Sequence, residues 1–347
     1  MKNKGLRRKT EMIDRLLIFI AKHPHFLPEC VLRALFVFLS RIVWLLKAGG
    51  VKQFERNLSR VLKYRMKTAR DADSKNNSAG QKSEKKYSDA RKCSKIALQN
   101  YFEYFAETMT AGKADLSSLS KNVKPEGALM QLKNELQKGR CGLPLAMGHQ
   151  GNWDYAGLWA DKNLAHVVTV AENLKNEQLL RTFVDIRSTL GIDILFSGSN
   201  GLVARLEEAA KNNANIIIPL LADRDLSRRG IFAKAFDSYI RVARGPATLA
   251  YDLKTPLFVV NMYRDSENRR AYVLDISGCV DTKPFLRLDR ETAIEKITQE
   301  WVDIWAQKIA EHPEDWHMMQ PIFAEDLDLS RVKNLPKNVE KYIAQQS

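Results

Sequence analysis

The sequence predicts an α/β fold: a central, mostly parallel sheet flanked by helices, with a basic and apolar helical region ahead of it. Three observations carry that expectation. From residue 126 onward, short apolar runs alternate with segments of helical periodicity, as strands alternate with crossover helices. Titratable residues gather just after several of these runs, where open α/β sheets place their chemistry. The chain has 347 residues, 45% apolar and 28% charged, which suffices for one large core or two smaller ones.

The first 70 residues hold 17 Lys/Arg against Glu11, Asp14, Glu29 and Glu55, a local +13 within a total of +14. Residues 1–10 form a basic tail, an apolar stretch spans 16–21, and a second, 31–47, follows the Pro24/Pro28 break. No uncharged apolar stretch reaches the ~18 residues of a transmembrane helix. Lys22, Glu29 and Arg33 interrupt any signal-peptide core. At ~100° per residue from Arg33, Ser40 falls at ~−20°, Arg41 at ~80° and Lys47 at ~−40°, so the polar groups share a ~120° stripe. The remaining residues, Leu32, Leu35, Phe36, Phe38, Leu39, Ile42, Val43, Leu45 and Leu46 among them, are apolar. Such a helix suits a membrane interface with its basic residues toward lipid headgroups. The alternative is a helix packed into the core with one wet edge. Residues 51–68 continue as a basic amphipathic helix. Region 1–68 is therefore expected to be an N-terminal membrane-associating helical region that meets an anionic surface without crossing it. A basic arm can also bind nucleic acid, but a dedicated binder spreads basic and aromatic residues over its working face. No nucleic-acid partner is expected.

Residues 69–92 contain the polar run 71–90 and are expected to be a disordered insertion. Tyr101, Phe102, Tyr104 and Phe105 mark a core helix over 96–109. Residues 93–325 form the α/β domain, and 326–347 a C-terminal tail. Within the domain, helix 126–138 precedes strand 143–148, helix 153–163 leads to strand 166–171, helix 176–190 to strand 192–196, and helix 200–212 to strand 215–222. Helix 245–254 has Pro246 in its first turn. Strands 256–263 and 271–276 follow, then helix 291–311. Cys30, Cys93, Cys141 and Cys279 show neither metal nor disulfide spacing, which fits a reducing compartment.

The sharpest chemical signal is Met147-Gly148-His149-Gln150-Gly151-Asn152-Trp153-Asp154. Five residues of regular helix turn ~500°, so His149 and Asp154 meet only if His149 lies on a strand-to-helix turn. Gly148 and Gly151 permit such a turn, and a histidine held there by an aspartate is placed as a general base. The plainer reading makes His149 a loop residue and Asp154 a helix-start carboxylate. Glu172 follows strand 166–171. Ser197, Gly198 and Ser199 follow 192–196, Asp223, Arg224 and Asp225 follow 215–222, and Arg264 and Asp265 follow 256–263.

These motifs, with Val170-Ala171-Glu172-Asn173-Leu174, Leu221-Ala222-Asp223-Arg224-Asp225, Ala243-Arg244-Gly245-Pro246 and Pro313-Glu314-Asp315-Trp316-His317-Met318-Met319-Gln320-Pro321, resemble the bacterial lipid A biosynthesis acyltransferase family. The resemblance runs from about residue 10 to 325 and leans to the actinobacterial phosphatidylinositol mannoside acyltransferases. It implies transfer of a fatty acyl chain from acyl-CoA, a co-substrate rather than a cofactor, to a mannose hydroxyl of a membrane glycolipid. It also implies a peripheral protein on the cytoplasmic membrane face. By resemblance His149, Asp154, Glu172 and Asp223 are catalytic positions and Arg187 a substrate-binding one. Either Asp154 or Asp223 is placed to fix the His149 tautomer. Arg187 or backbone N–H groups are candidate oxyanion donors, and Arg224, Arg228, Arg229 and Lys234 candidates for the CoA phosphates. The absence of a G-x-S-x-G elbow favours direct transfer over an acyl-enzyme. A lipid A-type acceptor or an acyl-carrier-protein donor are alternatives, as is a non-catalytic basic binding protein. No metal is expected, because the six histidines show neither H-x-x-x-H nor H-E-x-x-H spacing.

Overall fold

The computed structural model describes residues 28–73, 89–111, 115–172, 176–198, 201–225, 229–332 and 335–346. The basic tail 1–10, the stretch 16–21, all but the ends of the 71–90 run, and Arg228 lie outside them. The N-terminal region forms α1 (Glu29–Leu45) and α2 (Val51–Asp73), and α3 (Ala90–Ala111) follows.

Helix α1 divides its broad apolar surface. Leu32 and Phe36 pack against Phe102, Ala106 and Met109 of α3, while Val31, Leu35, Phe38, Leu45 and Leu46 are exposed. Measured from Arg33, the exposed set falls in an arc of ~120–220°, on the far side of the helix. Of the polar stripe expected to face headgroups, Arg41 is exposed, but Arg33, Ser40 and Lys47 turn inward. Arg33 donates to Glu107, Ser40 is buried on the Val37 carbonyl, and Lys47 pairs with Glu55. The reason is that α2 and α3 offer carboxylates on that side, and a half-buried cation is best satisfied by one.

Helix α2 inserts Val51, Phe54, Leu58, Val61 and Leu62 into the main core. Its exposed basic residues Lys52, Arg56, Lys63, Lys67 and Arg70 lie within a ~60° stripe, with exposed Thr68 and Asp71 outside it. Among the described residues no helix is long and apolar enough to cross a membrane.

The layered part follows as α4 (Leu116–Lys121), β1 (Val123–Gly127), α5 (Leu129–Gln137), β2 (Leu143–Met147), α6 (Trp153–Asn163), β3 (His166–Ala171), α7 (Glu177–Thr189), β4 (Ile192–Phe196), α8 (Leu202–Asn212) and β5 (Ile216–Leu221). Then come the hairpin β6 (Ile231–Ala235) and β7 (Ser238–Val242), α9 (Gly245–Leu253), β8 (Leu257–Arg264), β9 (Tyr272–Val280), α10 (Arg290–Glu311) and α11 (Lys337–Gln346). The sheet order is β1-β9-β8-β2-β5-β3-β4. Five strands, β8-β2-β5-β3-β4, are mutually parallel, and β9 with β1 runs the other way. The mostly parallel α/β sheet is thus observed. Helix α4, strand β1, the hairpin and α11 are additions to the elements expected from the sequence.

Strand β2 is buried on both faces and alternates between two cores. Leu143, Leu145 and Met147 face α6, whereas Ala146 faces α10. On the α10 side Trp301, Trp305 and Trp316 are fully buried, and each indole removes ~200 Å² from water, about 5 kcal/mol of burial. The C-terminal tail is ordered over α11, where Val339 and Tyr342 pack on Tyr239 and Phe232 of the hairpin.

Candidate active site

Strands β2 and β5 are neighbours, so the residues after them are brought together although 74 positions separate them. After Met147 the chain must turn against Trp305. A Cβ on Gly148 would stand 2.3 Å from the Trp305 indole nitrogen, so only glycine fits. Gly151 has φ +62° and its absent Cβ would stand 2.5 Å from the Met262 carbonyl. Between these glycines lies His149. Asn152 then starts α6, its side chain accepting from the Tyr155 N–H.

His149 Nδ1 lies 2.6 Å from Asp223 Oδ1, and its backbone N–H donates to Asp223 Oδ2 at 2.9 Å. The Trp316 indole donates to the same Oδ2 at 2.9 Å. Asp223 is fully buried. Burial alone pushes its carboxyl up, but the His149 ring and the donors from His149 and Trp316 hold it below its ordinary value. An ionised carboxylate only accepts, so Nδ1 carries a proton and Nε2 is the nitrogen that bears the lone pair in the neutral tautomer. The His149 ring is partly exposed and lines a cavity of about 1190 Å³.

Asp154 is not the partner of His149, and the expectation that the two side chains meet is corrected here. Asp154 starts α6 pointing into the protein, where it accepts from Tyr104 at 2.8 Å, Thr108 at 3.2 Å and Arg187 Nε at 2.7 Å. Its first-turn position turns it away from the strand end and onto α3 and α7. Burial opposes the Arg187 charge, but adjacent Asp154 holds the guanidinium above its ordinary value. Arg187 and Asp154 both line the cavity.

Glu172 stands half-exposed at the cavity rim and pairs with Arg224 at 2.7 Å. Arg229 lines the same cavity. Lys234 does not; it sits on β6, where its backbone bonds Gln299. Arg264 is held in a buried network with Glu103, Glu107 and Asp315. Besides His149, Tyr104 and Trp153, the cavity is lined by the apolar residues Leu145, Ala156, Gly157, Val167, Ile217 and Val260.

A family model described as bacterial lipid A biosynthesis acyltransferase matches residues 83–325. The chain belongs to that family. This acyltransferase is 32% identical over 238 residues to the phosphatidylinositol mannoside acyltransferase of Mycobacterium tuberculosis, covering 68% of this chain and 71% of the relative. With the protein of the same description from Mycolicibacterium smegmatis it shares 33% over 240 residues, 68% and 74% of the two chains.

Two features of the acyltransferase site escaped the sequence reading. Residues 315–317 fasten the His149 turn from outside: Gly151 N–H donates to the Asp315 carbonyl and His317 N–H to the His149 carbonyl. Buried His317 stacks on Tyr101 and lies 3.2 Å through Nε2 from the Gly151 carbonyl; burial pushes its pKa down to about 3, so it is neutral. The Trp316 contact with Asp223 was carried only by the motif around it. Arg244 and Arg290 join the cavity rim, each paired with a carboxylate; Arg244 lay in a quoted motif without a role assigned to it, and the signal for Arg290 was basic charge at a helix start.

Proposed function

We propose that this acyltransferase moves a fatty acyl chain from acyl-CoA to a mannose hydroxyl of a phosphatidylinositol mannoside, with His149 as general base. The observation that carries the reading is the buried Asp223–His149 pair opening on a large, partly apolar cavity. The acceptor hydroxyl gives its proton to Nε2 as its oxygen attacks the thioester carbonyl. The tetrahedral oxyanion collapses, the C–S bond breaks, and the imidazolium returns the proton to the departing thiolate. Asp223 stabilises the imidazolium between these steps, and such a base contributes ~10²–10⁴ in rate. The Arg187 charge at the cavity wall serves the oxyanion, because the N–H groups of His149, Gln150 and Gly151 are already bonded to Asp223, Gly148 and Asp315. The acyl chain lies against the apolar lining of Leu145, Ala156, Val167, Ile217 and Val260, and Arg224, Arg229 and Arg244 attract the CoA phosphates.

The apolar arc of α1 and the basic stripe of α2 fit docking on an anionic membrane surface from the cytoplasmic side. A lipid A-type acceptor is the second reading, favoured by the family's description. The decisive experiment incubates purified protein with an acyl-CoA length series and phosphatidylinositol mannoside in anionic vesicles. Mass spectrometry should find one added acyl chain, lost in His149→Ala. Full transfer by His149→Ala sinks the assigned base; acylation only of a lipid A-type disaccharide moves the assignment to the second acceptor.

A further inference from the structure

We propose that Glu107 is a positioning residue for the transfer, joining the catalytic turn to the helix whose apolar face meets lipid. The inference rests on the membrane reading of α1. Glu107 projects from α3 and is buried, with its two carboxylate oxygens serving different masters. Oε2 accepts from Asn152 Nδ2 at 2.9 Å and from the Tyr272 hydroxyl at 2.6 Å. Oε1 accepts from Arg33 Nη2 at 2.5 Å. Asn152 is the residue whose side chain caps α6, three positions after His149. Two hydrogen bonds therefore connect Arg33 with the cap of the helix that ends the catalytic turn.

Arg33 sits opposite the exposed Val31, Leu35 and Phe38 on α1. A shift of α1 as these side chains enter lipid moves the Arg33 guanidinium, and its short charge-assisted bond passes that shift to Glu107. Neighbouring residues of α3 act on the same turn, since Tyr104 and Thr108 hold Asp154. The link is separable from the fold. Arg264 contacts both Glu103 and Glu107, so removing Arg33 does not leave either carboxylate without a cation.

The test compares wild type, Arg33→Ala, Arg33→Lys and Glu107→Gln on acceptor lipid presented in anionic vesicles or in non-ionic detergent micelles. Arg33→Ala should lose about tenfold in kcat on vesicles, with micellar kcat, KM for acyl-CoA, melting temperature and vesicle sedimentation unchanged. Arg33→Lys should recover most of the loss. Glu107→Gln should lower kcat in both presentations. Hydrogen exchange across 148–156 supplies a readout independent of the acceptor: vesicles should slow it in wild type and leave it unaltered in Arg33→Ala. Equal vesicle and micelle rates in Arg33→Ala, a parallel loss in both with a lower melting temperature, or unchanged wild-type exchange on bound vesicles overturns the proposal. Failure of wild type to sediment with vesicles instead overturns the membrane reading, and the coupling with it.

Discussion

Asp223→Asn is the most discriminating change in the site, because the geometry dictates how the amide must sit. Oδ2 receives two donors, the His149 N–H and the Trp316 indole, while Oδ1 faces His149 Nδ1. If the amide oxygen takes the Oδ2 place, both donors are satisfied and the NH₂ faces Nδ1. The ring must then accept there and carry its proton on Nε2, which destroys the base. If the amide is reversed, its NH₂ meets two buried donors, costing about 1–3 kcal/mol for each group left unmade. The first arrangement therefore wins, and the fold survives with the wrong tautomer. The expected loss is ~10²–10⁴ in kcat, about 2.7–5.4 kcal/mol, with KM for acyl-CoA nearly unchanged. Initial rates of radiolabelled acyl transfer measure it, and thermal unfolding checks the fold. An Asp223→Asn protein that keeps its melting temperature and transfers within threefold of wild type would refute the tautomer argument.

Three further outcomes follow from the same geometry. Asp154→Ala leaves the buried Arg187 charge and two hydroxyl donors without their carboxylate, so stability should fall by about 3–5 kcal/mol; an unchanged denaturant midpoint would contradict that burial. Gly151→Ala forces a side chain onto φ +62° and against the Met262 carbonyl, which should cost about 1–3 kcal/mol and lower transfer through displacement of His149, read by calorimetry and rate together. His317 has a folded pKa near 3 against an ordinary 6.5, so the unfolded state binds the extra proton between those values. Stability is then lost as pH falls from 6.5, by at most about 1.4 kcal/mol per pH unit. His317→Gln should flatten that acid limb in denaturation curves taken from pH 7 to 4, and an identical slope would assign the acid sensitivity elsewhere.

Much of the fold was legible because burial wrote itself as periodicity. Trp153, Ala156, Gly157, Trp159 and Ala160 marked α6 at its observed bounds, and the unbroken apolar runs of β2 and β5 marked strands covered on both faces. β1 was not legible, since Val123-Lys124-Pro125-Glu126-Gly127 is an edge strand with only Val123 buried. The hairpin was hidden by its turn, where Phe236 and Asp237 take positive φ without the glycine that usually announces it. In the site, residue types were legible and pairings were not. The H-x4-D spacing drew attention to a local partner, while the bond that matters spans two neighbouring strands whose order only the assembled sheet reveals. Arg33 illustrates the same limit. Its angular position on α1 was computable, but which way that side faced depended on carboxylates 70 and 74 residues further on.

The fastening of the His149 turn by residues 315–317 has a consequence for synthesis. A chain is made from its N-terminus and its early part folds as it emerges. His149 and Asp223 are then present long before the indole of Trp316 and the His317 N–H that lock them, the latter bonding the turn from 168 positions downstream in number. A nascent chain stopped at residue 312 would carry every acid and base of the site with the turn unlocked, and should hydrolyse acyl-CoA no faster than buffer. Closure of the turn thus waits on a strip made 168 positions after the histidine it holds.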